Sequence, residues 1–427
     1  MVRSVTVNAV NTVTARQAHP RPVAGATQAT LREHNLSLVA RIILGATASM
    51  SRADVAAATA LTRSTVSRLV DDLLAAGLVR EVAKVEGGLG RPATPVVADD
   101  RLCALGLQVN ATFLLARLVA LDGTVLAEEA IDGDFVASDP AEVLPRMGAC
   151  GARVAAAAGP DRLLVGTGLA LPGIVRPEAG LLLRAPNLGW SDIEPGPLLA
   201  APDLGPVLLG NEADCAAVAV AQPVPGRREG PQDFIYLSGE IGIGGAAVLD
   251  GHVMRGQHGW AGEIGHVCVD PEGPACPCGS RGCLERYAGL RALQTAAGLP
   301  ATAGIDRFAA ACRAGEPAAT RALATAVGAL ETALVSAVNL LDIPAVVLGG
   351  HLGRLAGLIA PDLAARLGSR ALAGRFDGPT VTVGEHVGAD HREDRAPAAT
   401  GAATGVLEGV IDRPAAWVPP AESRARR

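Results

Sequence analysis

The 427-residue chain is short of several residue types, and each shortage excludes something. Aromatics make up 2% of it, so any core must be built from Ala, Val, Leu and Ile. Lys84 is the only lysine among 37 basic residues, a skew of GC-rich coding rather than a functional choice. Eight cysteines are too few for a secreted disulfide scaffold of this length, which points to a reducing cytoplasm. No uncharged apolar run approaches the ~20 residues of a membrane span, so no membrane partner is expected. With 49% hydrophobic residues the chain is not disordered as a whole.

What is present divides along the chain, and the length suits two to three domains. Residues 1–100 carry 11 basic and 8 acidic side chains; the remaining 327 carry 26 and 35. A mildly basic front on an acidic body suits a nucleic-acid module joined to something else. Residues 1–30 hold Arg3, Arg16 and Arg21, no acid, and no apolar stretch of the secretory kind. They read as a disordered extension, although a transit peptide has a similar composition.

Helical spacing begins at Leu31, with Leu36, Val39, Ala40 and Ile43 on one side. Ser51 with Asp54 starts a short second helix, and Thr62 caps a third. In that third helix Val66, Leu69, Val70 and Leu73 form one buried stripe. Arg63, Ser64, Thr65, Ser67 and Arg68 are left outside. Gly77 ends the helix, and two strands then flank Glu86–Pro92 with its glycines and Arg91. Residues 31–98 therefore read as a winged helix-turn-helix domain. The start of helix three would enter the major groove of operator DNA, and Arg91 on the wing would reach a phosphate or the minor groove.

From Ala104 the pattern becomes α/β. Leu105–Val109, Phe113–Ala120 and Thr124–Ile131 read as a meander, followed by a helix over 140–158 and a strand over Leu163–Leu171. A second cycle is expected to start near Val207 and to end at Gly349-Gly350. Two such halves suggest a duplicated actin-like ATPase (ribonuclease H-like) body.

Leu171-Pro172-Gly173, Ala185 to Trp190, Asn211-Glu212-Ala213-Asp214, Gly242–Gly245, Gly262 to His266 and Cys276 to Glu285 together resemble, in order, the ROK family of sugar kinases and sugar-responsive repressors. The resemblance covers about 104–411, and the winged front looks like that of the repressor branch. It implies a sugar site of Asn187, Asn211, Glu212, Glu263, His266 and Glu285. It also implies a structural zinc on His266, Cys276, Cys278 and Cys283, a closed Cys3His set. The other five cysteines read as small core residues.

The chain departs from the family's kinases at the first hairpin. Where those carry Asp-x-Gly-Gly-Thr, this chain has Gln108-Val109-Asn110-Ala111-Thr112, and Glu212 stands at the catalytic aspartate. The metal-organising carboxylate and both phosphate-loop glycines are gone. The expected protein is thus a cytoplasmic sugar-responsive regulator of carbohydrate uptake or catabolism genes. It would act as a repressor without phosphotransfer, paired as a homodimer or homotetramer on DNA. An ATP-dependent sugar kinase with an added DNA-binding domain is the alternative. The body would run over 99–413, leaving a flexible tail at 414–427.

Overall fold

Three capped helices open the chain: α1 (Gln28–Leu44), α2 (Arg52–Thr59) and α3 (Arg63–Ala75). The computed structural model describes residues 27–83, 94–384 and 397–418. Residues 1–26, 84–93 with Arg91 of the expected wing, 385–396 and 419–427 lie outside the described residues. Thr27 caps α1, which begins at Gln28 inside the segment expected as extension. Ser51 and Asp54 close a reciprocal capping box at α2, and Thr62 accepts the Thr65 N–H at α3. Val66, Leu69, Val70 and Leu73 are all buried, as their spacing predicts. Strands β1 (Val79–Glu81) and β2 (Val96–Ala98) then pair antiparallel as the base of the wing.

The body repeats one topology twice. In the first lobe β3 (Leu102–Val109), β4 (Phe113–Ala120) and β5 (Val125–Asp132) form the meander, followed by α4 (Pro140–Ala156) and β6 (Leu163–Leu171). A small sheet of β7 (Ile174–Arg176), β8 (Leu181–Ala185) and β9 (Trp190–Ile193) follows, then the short α5 (Pro195–Leu198), β10 (Val207–Asn211) and α6 (Glu212–Ala221). The main sheet runs β10-β6-β3-β4-β5, with β6 and β10 parallel to β3. Val207–Asn211 therefore closes the first lobe and does not open the second, because its backbone pairs with β6.

The second lobe contains β11 (Phe234–Gly239), β12 (Ile243–Leu249), β13 (His252–Val253), α7 (Glu285–Ala288), α8 (Leu290–Ala296), α9 (Ile305–Arg313), α10 (Pro317–Leu341), β14 (Ala345–Gly349), α11 (Gly350–Arg370) and β15 (Thr380–Val383). Its sheet order, β13-β12-β11-β14-β15, has the same arrangement as the first. The duplication is thus visible in strand order and direction alike. Helix α10 is long and apolar enough to span a membrane, but its apolar face lies in this lobe's core.

The last helix, α12 (Pro397–Asp412), crosses back to the first lobe and packs on α6. Leu407, Val410 and Ile411 of α12 share one core with Leu36, Val39 and Ile43 of α1 and with Val66 and Leu69 of α3. The three-helix module and the body are thereby one packed unit. The 3-10 turn Pro414–Trp417 joins this core through Ala415 and Trp417, so the segment expected as tail is ordered at least to Val418.

Candidate functional site

A cleft of about 100 Å3 opens between the lobes. Pro172, Gly173, Pro186, Asn187, Asn211 and Glu212 line it from the first lobe. Glu240, Gly242, Gly244, Glu263, His266, Pro277 and Glu285 face them from the second. All six residues of the expected sugar set thus meet around one space. Glu240 was not in that set; a charged residue directly before a glycine turn was its only signal.

The strand-to-helix junctions place these groups. Asn211 ends β10 and caps α6: its Oδ1 accepts from Ala213 and Asp214 N–H, while Nδ2 donates to the Gly173 carbonyl at 2.8 Å. Its oxygen is fully used, so Asn211 holds the Pro172-Gly173 turn and keeps one N–H for a ligand. A Cβ at Gly242 would stand 2.6 Å from Glu285 Oε2, so a side chain there would displace that carboxylate.

Glu212 is held from the hairpin that replaces the phosphate loop. Gln108 Nε2 and Asn110 Nδ2 each donate to Glu212 Oε1 at 2.7 Å. Asn110 Oδ1 in turn accepts from the Thr112 N–H and hydroxyl. Burial raises the Glu212 pKa above the usual carboxylate range, against the two amides that lower it. Enclosure also raises Glu263, with His266 opposing and Glu285 reinforcing the shift.

His266 faces two ways. Its Nδ1 lies 3.8 Å from Cys276 Sγ, and its Nε2 lies 3.8 Å from Glu263 Oε2. Cys278 and Cys283 sulfurs are 3.6 Å apart, and the four candidate ligand atoms all lie within 4.8 Å of one another. A tetrahedron with Zn–S bonds of about 2.3 Å has edges near 3.7 Å, so the set fits zinc. The Cys276 thiol also donates to Glu285 Oε1 at 3.0 Å, which makes metal set and cleft share a wall. Of the other cysteines, Cys103, Cys150 and Cys215 are buried, with thiols raised to about 11, 11 and 12 chiefly by burial. Cys312 is half-buried, and Cys268 is exposed rather than in a core, although its backbone bridges to that of buried Cys283.

On the opposite side of the molecule's chemistry, Arg63, Ser64 and Arg68 are exposed on α3, with Thr65 and Ser67 half-buried beside them. Arg32, Arg41 and Arg52 of the same domain are paired with carboxylates. Among the described residues Arg63 and Arg68 have no such partner, nor does exposed Arg80 on β1, which the sequence reading passed over.

These features define a two-lobed body of the sugar-kinase type carrying a helix-turn-helix module. Residues 104–407 match the ROK family, and the chain belongs to it. Residues 41–83 match the IclR helix-turn-helix domain. The chain is 32% identical to the xylose repressor of Caldicellulosiruptor bescii over 267 residues, 62% of this chain and 65% of that protein. It is 26% identical to the DNA-binding transcriptional repressor Mlc of Escherichia coli over 373 residues, 80% of this chain and 87% of that one. The crystal structure of a ROK family transcriptional regulator, a homologue of the E. coli MLC protein, superposes with a TM-score of 0.73 at 23% identity. It covers 91% of this chain and 99% of its own, and shares the fold.

Proposed function

We propose that the protein is a DNA-binding transcriptional repressor whose body binds a monosaccharide without phosphorylating it. The observation that carries the second half is the grip of Gln108 and Asn110 on Glu212. A base for a sugar hydroxyl needs a free lone pair near its target, and a phosphate needs backbone N–H groups with room around them. Here one carboxylate oxygen is taken by two amides, Asn110 at a glycine position of the expected phosphate loop and Gln108 at that of the metal-organising aspartate. The retained glycine turn at 242–245 supports a second reading, an ATP-dependent sugar kinase. Incubation with ATP and a sugar panel, followed by product analysis, separates the two; turnover would overturn the first.

Sugar would be held by Asn187, Glu212, Glu263, His266 and Glu285 between the lobes, with Asn211 positioning the wall. Zinc on His266, Cys276, Cys278 and Cys283 would be structural, fixing His266 at the edge of the cleft. Arg63, Ser64, Thr65, Ser67 and Arg68 would read the operator. Such modules act in pairs on two half-sites, so the repressor would work as a homodimer or larger assembly in the cytoplasm. The limits expected from the sequence, 31–98 and 99–413, widen to 27–98 for the DNA-binding part and 99–418 for the body, because α1 starts at Gln28 and Pro414–Trp417 joins the shared core.

The route between the two ends runs through α12. Glu212 is the first residue of α6, α6 packs on α12, and α12 shares a core with α1. Arg41 of α1 pairs with Glu408 and Asp412 of α12, and Glu408 also accepts the Gly226 N–H. Lobe movement on sugar binding would thus reach the DNA-binding module without a flexible linker. A coupling of about 1–3 kcal/mol suffices for a 5–150-fold change in operator affinity.

A further inference from the structure

We propose that Cys268 is a redox modification site. A hydroperoxide oxidises it, and it then forms a disulfide with Cys283 that opens the zinc set. This inference rests on the zinc reading of His266, Cys276, Cys278 and Cys283. Of the eight cysteines Cys268 alone is exposed, and neither the cleft lining nor the four candidate ligands include it.

Its place on a short antiparallel ladder carries the proposal. The Leu284 N–H donates to the Val267 carbonyl at 2.9 Å, and the Val269 N–H donates to the Gly282 carbonyl at 2.8 Å. Both bonds pass by Cys268 and Cys283, which face each other across the bridge as a non-hydrogen-bonded pair. Such pairs hold their Cα atoms about 4.5 Å apart, with both side chains on one face. A disulfide needs Cα atoms about 4.4–6.8 Å apart, so the backbone is already in range and only side-chain rotation remains. Gly282 secures the register: its φ is +64°, and a Cβ there would collide with the Asp270 carbonyl oxygen.

The pair is open at one end and closed at the other. Cys283 is fully buried, its sulfur 3.6 Å from that of Cys278. A peroxide arriving from solvent therefore meets Cys268 first. The chemistry balances in two steps. The Cys268 sulfur takes one oxygen from the peroxide, giving a sulfenic acid and releasing an alcohol or water. The Cys283 sulfur then attacks the Cys268 sulfur; the S–S bond forms, and the departing hydroxide takes a proton and leaves as water. The two sulfurs supply the two electrons that reduce the peroxide. A sulfur held in a disulfide is no longer a thiolate donor, so the metal set falls from four ligands to three. His266 then loses its anchor, and an oxidant signal reaches the edge of the cleft.

The test treats full-length, zinc-loaded protein with hydrogen peroxide. A chromogenic chelator follows zinc release, and peptide mass mapping follows cysteine pairing. Wild type should lose zinc as a Cys268–Cys283 linked peptide appears, and dithiothreitol with added zinc should reverse both. Cys268→Ser should keep its zinc and its operator affinity before oxidation, and should release metal about tenfold more slowly during it. Equal release rates in the two proteins would overturn the proposal. So would bridges confined to Cys276, Cys278 and Cys283, or Cys268 recovered only as sulfinic or sulfonic acid. These three results leave the zinc reading standing, whereas fresh protein without zinc removes that reading and this proposal together.

Discussion

Gly401 on α12 lies so close to Cys215 on α6 that a Cβ added to the glycine would stand 1.6 Å from the cysteine's carbonyl oxygen. Gly106 of β3 and Gly168 of β6 receive α12 in the same manner, at 1.8 Å from the Ala399 oxygen and 2.2 Å from the Ala402 oxygen. The helix is seated at backbone depth on both the sheet and α6. Gly401→Ala must push one helix away from the other, a cost of about 2 kcal/mol or more. Gly409, also on α12, has nothing within 4 Å of its virtual Cβ, so Gly409→Ala should gain about 0.5–1 kcal/mol. Urea unfolding of the two variants should move in opposite directions; a common shift would mean that α12 is not seated as described.

On the DNA side, Arg63→Ala and Arg68→Ala should each cost about 1–3 kcal/mol of operator affinity. Arg80→Ala, if that side chain meets phosphate, should weaken binding evenly across sequences and reduce the salt slope by about one. Retardation assays at several salt concentrations measure both. Full operator affinity in the Arg63/Arg68 double variant would move recognition to another face.

Freshly reduced protein should contain about one zinc per chain. Cys278→Ser, or removal of zinc by a chelator, should lower the melting temperature and blunt the sugar response, because His266 loses its anchor at the cleft. Metal analysis that finds no zinc would count against the set.

Two buried groups give opposing pH slopes. Asp214 is pushed up to about 7, chiefly by burial, with Arg255 opposing and Glu263 adding. The folded chain then holds a proton that the unfolded chain has released above about 4, so stability falls as pH rises from about 4 to about 7. His351 is pushed down to about 4 by burial, against the backbone carbonyls of Ala288, Gly239 and Glu240. Its contribution is lost as pH falls from about 6.5 through about 4. Asp214→Asn should therefore bring little at pH 4 and on the order of 2 kcal/mol at pH 8. A pH-independent difference between variant and wild type would refute the assignment.

Arg41→Ala removes the charged link from α1 to Glu408 and Asp412 without touching the cleft. Sugar affinity should stay within about twofold, while the ratio of operator affinities without and with sugar should shrink toward one. Titrating sugar into an operator complex reads that ratio directly. An unaltered ratio would place the coupling elsewhere than α1 and α12.

Much of this was legible from the sequence because its signals are local. The α3 stripe and the caps at Ser51 and Thr62 depend on residues within a turn of each other. The ordered glycine and acid motifs marked the cleft for the same reason. Val207–Asn211 was misassigned because its pairing with β6, some 40 residues away, leaves no trace in periodicity. The partners of Glu212 also escaped notice: Gln108 lies 104 residues before it, and only folding brings amide and carboxylate together. The common core of α1 and α12 was invisible, since Leu36 and Val39 look the same whatever covers them.

That common core bears on how this molecule can be re-engineered. A helix-turn-helix on a loose tether can be exchanged like a cartridge to redirect a sensor to another promoter. Here the cut would strip Leu36, Val39 and Ile43 of their cover and leave Leu407, Val410 and Ile411 bare on the body. A working chimera would have to move α12 and its turn at Pro414–Trp417 together with the front domain, or repaint both faces. The same constraint acts on natural recombination: exchanging the front domain alone would break a core that point changes on the exposed face of α3 leave intact.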